Sequence, residues 1–119
     1  VGLVIPELNG KLDGVSIRVP TPNVSVVDLT FESLKETSES EINSLIKKTS
    51  LNKLKGELSY TEEKLVSMDF NHDPHSSIFA ADQTKVLEKK MVRVLSWYDN
   101  EWGFSNRMSD TAIEMASLF

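Results

Sequence analysis

The sequence predicts an α+β fold: a mostly antiparallel sheet, helices packed on one face, and a helix at the C-terminal end. Three observations carry this. Several runs are extended in character, alternating apolar and polar residues or apolar on both faces. A capping box opens a helical stripe in the first half of the chain. A second stripe, with apolar residues at steps of three or four, closes it. The coarse order is strand, strand, helix, several strands, helix, with no internal repeat, low-complexity tract or linker.

Each element has its own local reason. IPELNGKLDG reads as irregular chain with turns at Asn9-Gly10 and Asp13-Gly14, pairs that tolerate positive φ. Val15, Ile17 and Val19 alternate with Ser16 and Arg18, which predicts a half-buried strand; Pro20 and Pro22 then hold PTPN extended. VSVVDLTFESL is apolar on both faces, so one face is expected to meet the helices and the other to want cover from another domain or subunit. Ser38 and Glu41 form the capping box, followed by Ile42, Leu45 and Ile46 on one helical stripe. A helical turn is expected at 61–64 and a short strand at 66–70. NHDPHSS is a turn by composition. Ser77 to Asp82 and about Lys89 to Tyr98 read as strands, the second central and covered on both sides. Asp99 is the expected N-cap of the last helix, whose stripe is Phe104, Met108, Ala112, Met115 and Phe119.

Composition narrows the chemistry. The 119 residues suit one domain or part of one, and 39% hydrophobic with 26% charged residues reads as soluble and globular. No apolar run is long enough to span a bilayer. No signal peptide stands at the start, so a cytoplasmic location is expected. VGLVIPEL lacks an initiator methionine, which suggests a processed, truncated or excised piece. A net charge of −5 argues against nucleic acid, whose phosphates call for a basic stripe. The chain has no cysteine, so a disulfide, a thiolate metal ligand and a cysteine nucleophile are all excluded within it.

Among the candidate constellations, His72 and His75 around Asp73 could be drawn as a metal pair, but a turn position without a third ligand favours turn and capping roles. His75 with Ser76 or Ser77 is adjacency rather than triad geometry. Arg18 is a planar cation on an extended platform. It could fork a carboxylate or phosphate, or make a surface salt bridge. WYDNEWGFSNR sets four aromatics, three charges and two asparagines around Gly103. It is a strand-to-helix corner, with free amides at the helix start, and reads equally as a binding corner or as an aromatic hinge.

IPELNGKLDGVSIRVPTPNVSVVDLT, NHDPHSS and SWYDNEWGFSNR together closely resemble the C-terminal half of the catalytic domain of phosphorylating glyceraldehyde-3-phosphate dehydrogenases. The resemblance covers essentially residues 1–119. It implies an enzyme that oxidatively phosphorylates glyceraldehyde 3-phosphate with NAD, in the glycolytic rather than the erythrose-4-phosphate branch, and a homotetramer. Residue by residue, it implies that Arg18 holds the substrate's or the inorganic phosphate. It also implies that Asn100 binds the nicotinamide carboxamide, that Tyr98 lines the active site, and that Phe104 lies near the nicotinamide. Phe104 stands where the family often has tyrosine, so one polar contact is expected to be missing. The last helix is expected to dock on the nucleotide-binding domain.

The Rossmann domain, the cysteine nucleophile and the histidine that activates it do not occur in these residues, so no catalytic residue is expected here, and no metal. The chain alone is expected to be inactive and to bind NAD weakly. A reading of another class treats it as an independently folded self-association module, a possible dimer through the apolar strands at Val24–Val26 and Val92–Leu95.

Overall fold

A computed structural model describes residues 1–119. Five strands form one sheet, with β1 at Ser25–Glu32, β2 at Leu58–Thr61, β3 at Ser77–Ala80, β4 at Lys85–Leu87 and β5 at Met91–Tyr98. Two helices accompany them, α1 at Glu39–Leu51 and α2 at Asn100–Ala116. The α+β class and the C-terminal helix are as the sequence predicts.

β5 is the organising strand. β1 runs antiparallel along its whole length, from Ser25 opposite Tyr98 to Glu32 opposite Met91. Its other edge is shared: β3 pairs antiparallel at Trp97 and Ser96, and β4 antiparallel at Arg93 to Met91. β2 then adds parallel to β3, the one parallel pairing in a mostly antiparallel sheet. The central place expected for MVRVLSWY is observed, and Val92 is fully buried. The strand begins at Met91 rather than Lys89, because Glu88 and Lys89 both take positive φ (49° and 60°) in the hairpin turn after β4. That is the primed-turn geometry that matches strand twist.

Four local expectations are corrected. Residues 15–19 form no strand: they run extended and exposed, Val15 at 90% and Ile17 at 80%. Period-two alternation needs a neighbouring strand to bury against, and none stands beside this run. Residues 61–64 are not helical, since Thr61 ends β2 and its hydroxyl accepts from Glu63 N. Residues 66–70 form a 3-10 turn over Ser67–Phe70 instead of a strand, closed by Asp69 Oδ2 accepting from Val66 N at 2.8 Å. The run from Ser77 leaves the sheet after Ala80 for a 3-10 turn at Ala81–Gln83 and returns as β4.

α1 starts with the predicted capping box, Glu41 N on Ser38 Oγ and Ser38 N on Glu41 Oε2. Asn43 holds it to the turn after β3, donating to Ala81 O and accepting from Thr84 Oγ1. The apolar cluster is small: Val24, Phe70 and Ile78 with Leu65 and Trp97 against them. Phe70 and Trp97 stack at 5.6 Å, and Tyr60 and Phe79 at 6.0 Å.

Only 11 of 119 residues are buried, and the accessible area is 9301 Å². A folded chain of 13.4 kDa is expected to expose about 6,500 Å². The radius of gyration, 15.8 Å, likewise exceeds the ~13.5 Å expected for this length. The excess lies on the N-terminal run, where Leu3, Val4, Val15 and Ile17 are almost wholly exposed, on β1, where Val26, Val27, Leu29 and Phe31 are each about two-fifths exposed or more, and on the stripe of α2. No helix is long and apolar enough to cross a membrane.

Candidate functional site

The corner between β5 and α2 is built from three segments far apart in sequence. Asp99 is its centre and is 2% exposed. Its Oδ1 accepts from the backbone N–H groups of Glu101 (3.1 Å) and Trp102 (2.9 Å), the N-cap role expected from sequence. Its Oδ2 accepts from the Asn23 side-chain amide and from His72 N, both at 2.9 Å. Four donors thus fill the acceptor capacity of one carboxylate. Burial pushes its pKa up. The hydrogen bonds from Trp102 N, His72 N, Asn23 and Glu101 N push it down further, and the net is below the ordinary aspartate range.

Asn23 also donates to Asn71 Oδ1 at 2.8 Å. The residue after it, Val24, has φ 69°, a left-handed conformation that a β-branched side chain rarely adopts. His72 also has positive φ, 64°, and its ring lies 4.7 Å from that of Trp102. His75 takes a turn role: both its backbone N and its Nδ1 bond Asp73 Oδ1, at 2.9 and 2.7 Å. Gly103 is the buried residue of α2, and a Cβ there would stand 3.1 Å from His75 O. The close approach read from Gly103 is therefore to the chain's own NHDPHSS turn.

The sequence-predicted residues distribute as follows. Tyr98 is the last residue of β5 and half-buried, Asn100 the first of α2 and exposed. Phe104 lies one turn further on, 64% exposed. The Asn100 carboxamide makes no hydrogen bond within the chain, so its donor and its acceptor are both free to meet another amide. Arg18 is exposed in the extended run before the two prolines and makes no ion pair; its guanidinium fork is open. That run ends at Asn23, so it arrives at this corner, with Ser25 opposite Tyr98. Asn23 and Asn71 escaped the sequence reading. The available signal was an asparagine directly after Pro22 and another opening a turn, both common in loops without any long-range partner.

Residues 1–100 match the family described as "Glyceraldehyde 3-phosphate dehydrogenase, C-terminal domain". The chain belongs to that glyceraldehyde-3-phosphate dehydrogenase family. Among its relatives, the glyceraldehyde-3-phosphate dehydrogenase of Cereibacter sphaeroides is 66% identical over 118 residues, covering 99% of this chain and 35% of the relative. That of Xanthobacter flavus is 64% identical over the same span and shares. A cytosolic glyceraldehyde-3-phosphate dehydrogenase of Craterostigma plantagineum is 55% identical over 117 residues, 98% of this chain and 35% of the relative. The chain thus spans about a third of the length of the relatives it matches.

Proposed function

We propose that these residues supply the C-terminal portion of the catalytic domain of a glycolytic, NAD-dependent glyceraldehyde-3-phosphate dehydrogenase, which converts glyceraldehyde 3-phosphate and inorganic phosphate to 1,3-bisphosphoglycerate in the cytoplasm. The observation that carries this is the Asn100 carboxamide, unpaired and exposed on the first turn of α2, at the corner where three family motifs meet. NAD, when bound, serves as the hydride acceptor.

The chain's own part is binding and orientation. Asn100 pairs the nicotinamide carboxamide through its donor and acceptor and so selects the ring face presented to the substrate. Tyr98 and Phe104 wall that pocket and limit water. Arg18 forks a phosphate, that of the substrate or the attacking inorganic anion, and neutralises part of its charge. No cysteine is present, so the thiolate that attacks the aldehyde lies outside these residues, and by the family resemblance so do its histidine and the NAD domain. The 119 residues alone are inactive on this reading.

Joining residues 1–119 to the remaining part of the Cereibacter sphaeroides enzyme gives a direct test. The chimaera is expected to reduce NAD in the presence of glyceraldehyde 3-phosphate and phosphate. A folded chimaera without that activity overturns the proposal, as does turnover by the 119 residues alone.

A second reading is favoured by the exposure of β1. Val24 and Val92, expected at such a surface, are buried within the chain, Val24 against Phe70 and Ile78 and Val92 on β5, which is internal to the sheet. The surface is therefore Val26, Val27, Leu29 and Phe31 with the free edge of β1; these suit self-association, and the family's homotetramer would use such cover.

A further inference from the structure

We infer that Asn23 and Asp99 are positioning residues that fix Arg18 and Asn100 relative to each other, coupling the phosphate arm of the site to its nicotinamide arm. The inference rests on the roles proposed above for those two residues.

Among these 119 residues Arg18 stands in an exposed run with no sheet partner, and what holds that run here lies downstream of it. The first side-chain tie downstream of it is Asn23, whose amide bridges Asp99 Oδ2 and Asn71 Oδ1. Pro20 and Pro22 lie between Arg18 and Asn23 and keep the intervening backbone stiff, so a displacement at Asn23 is passed on rather than absorbed. On the far side, Asp99 immediately precedes Asn100 and caps the turn that carries it.

Val24 adds an independent sign. A buried valine at φ 69° is held in a conformation it does not favour, so something must over-determine the backbone there. The Asn23 hydrogen bonds on one side and burial of the Val24 side chain against Phe70 and Ile78 on the other do so. His72 N on the same Oδ2, with the His72 ring beside Trp102, keeps the carboxylate from rotating away.

The test uses the chimaeric full-length enzyme with Asn23→Ala and, separately, Asn23→Asp, which sets a second carboxylate against Asp99. A purely structural role predicts a lower melting temperature, with KM for phosphate and for NAD unchanged in the folded enzyme. Positioning predicts that both KM values rise and kcat/KM falls about tenfold or more, well below the melting temperature, because a small misplacement of two binding groups costs orientation. Asn23→Asp is expected to exceed Asn23→Ala, since like charges repel. If both variants stay folded with the parent's KM for phosphate and NAD, the inference fails while the proposed function stands. If the unsubstituted chimaera is inactive, the proposed function fails first.

Discussion

The Asn23 side-chain amide meets Asp99 Oδ2 at 2.9 Å across 76 positions of sequence. Through that contact the RVPTPN run, the NHDPHSS turn and the start of α2 become one corner. Neither residue bears a role in chemistry itself. On the inference above, their effect is to tie the run that carries Arg18 to the helix start that carries Asn100. An acid-dependent consequence follows from the carboxylate at the centre.

Asp99 has a folded-state pKa below its unfolded value, so ionised Asp99 stabilises the fold. That contribution is fully present above the unfolded value, about 3.9, and is lost as pH falls through the lower folded value. Asp28 shifts in the same direction through its bidentate pair with Arg93, but both side chains are substantially exposed, so its share is small. Asp99→Asn at neutral pH leaves a buried donor facing Asn23 and His72 N, at a cost of about 1–3 kcal/mol. Melting of the parent chimaera and the variant is therefore expected to differ clearly and equally at pH 7 and pH 5. The gap should narrow in strongly acidic solution. A gap that stays constant down to pH 3 contradicts the assignment.

Much of this fold was legible in the sequence, for identifiable reasons. The capping box at Ser38 and Glu41, the N-cap at Asp99 and the central strand ending at Tyr98 are decided by neighbours in sequence or by hydrophobicity, and all stand as read. The run Val15–Val19 shows the limit of that reasoning. Its alternation correctly signals a strand-like surface, but pairing is a property of two strands. β2 and β4 were missed because four- and three-residue strands hold too few alternations to be recognised. At the site, Arg18, Tyr98, Asn100 and Phe104 were named through family motifs, whereas the contact between Asn23 and Asp99 is long-range and leaves no local pattern.

Gly103→Ala tests the close approach of α2 to the NHDPHSS turn. Inside a helix this change ordinarily gains about 1 kcal/mol. Here the new methyl group would meet a main-chain oxygen, His75 O, at 3.1 Å. Neighbouring bonds hold that carbonyl, since Ser76 N donates to Glu57 O at 2.9 Å and His75 N to Asp73. Overpacking against a fixed partner costs about 1–3 kcal/mol, so the net change is expected to be destabilising. Thermal melting of the substituted chimaera checks the sign; a higher midpoint than the parent's would show that the turn yields freely.

The 119 residues by themselves are expected to be weakly stable. They expose about 2,800 Å² beyond what a free-standing globule of their mass should. Counting only the roughly 55–60% of that area that is apolar, ~25 cal/mol per Å² still outweighs the ~5–15 kcal/mol by which domains of this size are stable. Circular dichroism of the isolated chain should show a broad transition below about 45 °C, the lower edge of the usual range. Sedimentation should show concentration-dependent self-association through β1. A sharp melt above that usual range from a clean monomer would rule out exposure as the controlling feature.

Phe104→Tyr concerns the cofactor arm alone. The ring is 64% exposed and the chain gives it no enclosing core, so the added hydroxyl is expected to change stability by less than about 0.5 kcal/mol. If Phe104 faces the nicotinamide, the hydroxyl restores a polar contact worth about 0.5–1.5 kcal/mol, a roughly two- to tenfold gain in NAD affinity. The gain must come without a matching change in KM for phosphate, because Phe104 lies on α2 beyond Asn100 and not on the Arg18 run. Fluorescence titration of the chimaera with NAD, beside steady-state kinetics in phosphate, separates the two arms. Tighter NAD binding with phosphate KM unchanged places Phe104 at the ring pocket; unchanged NAD affinity removes it from that wall and leaves Asn100 to hold the cofactor without it.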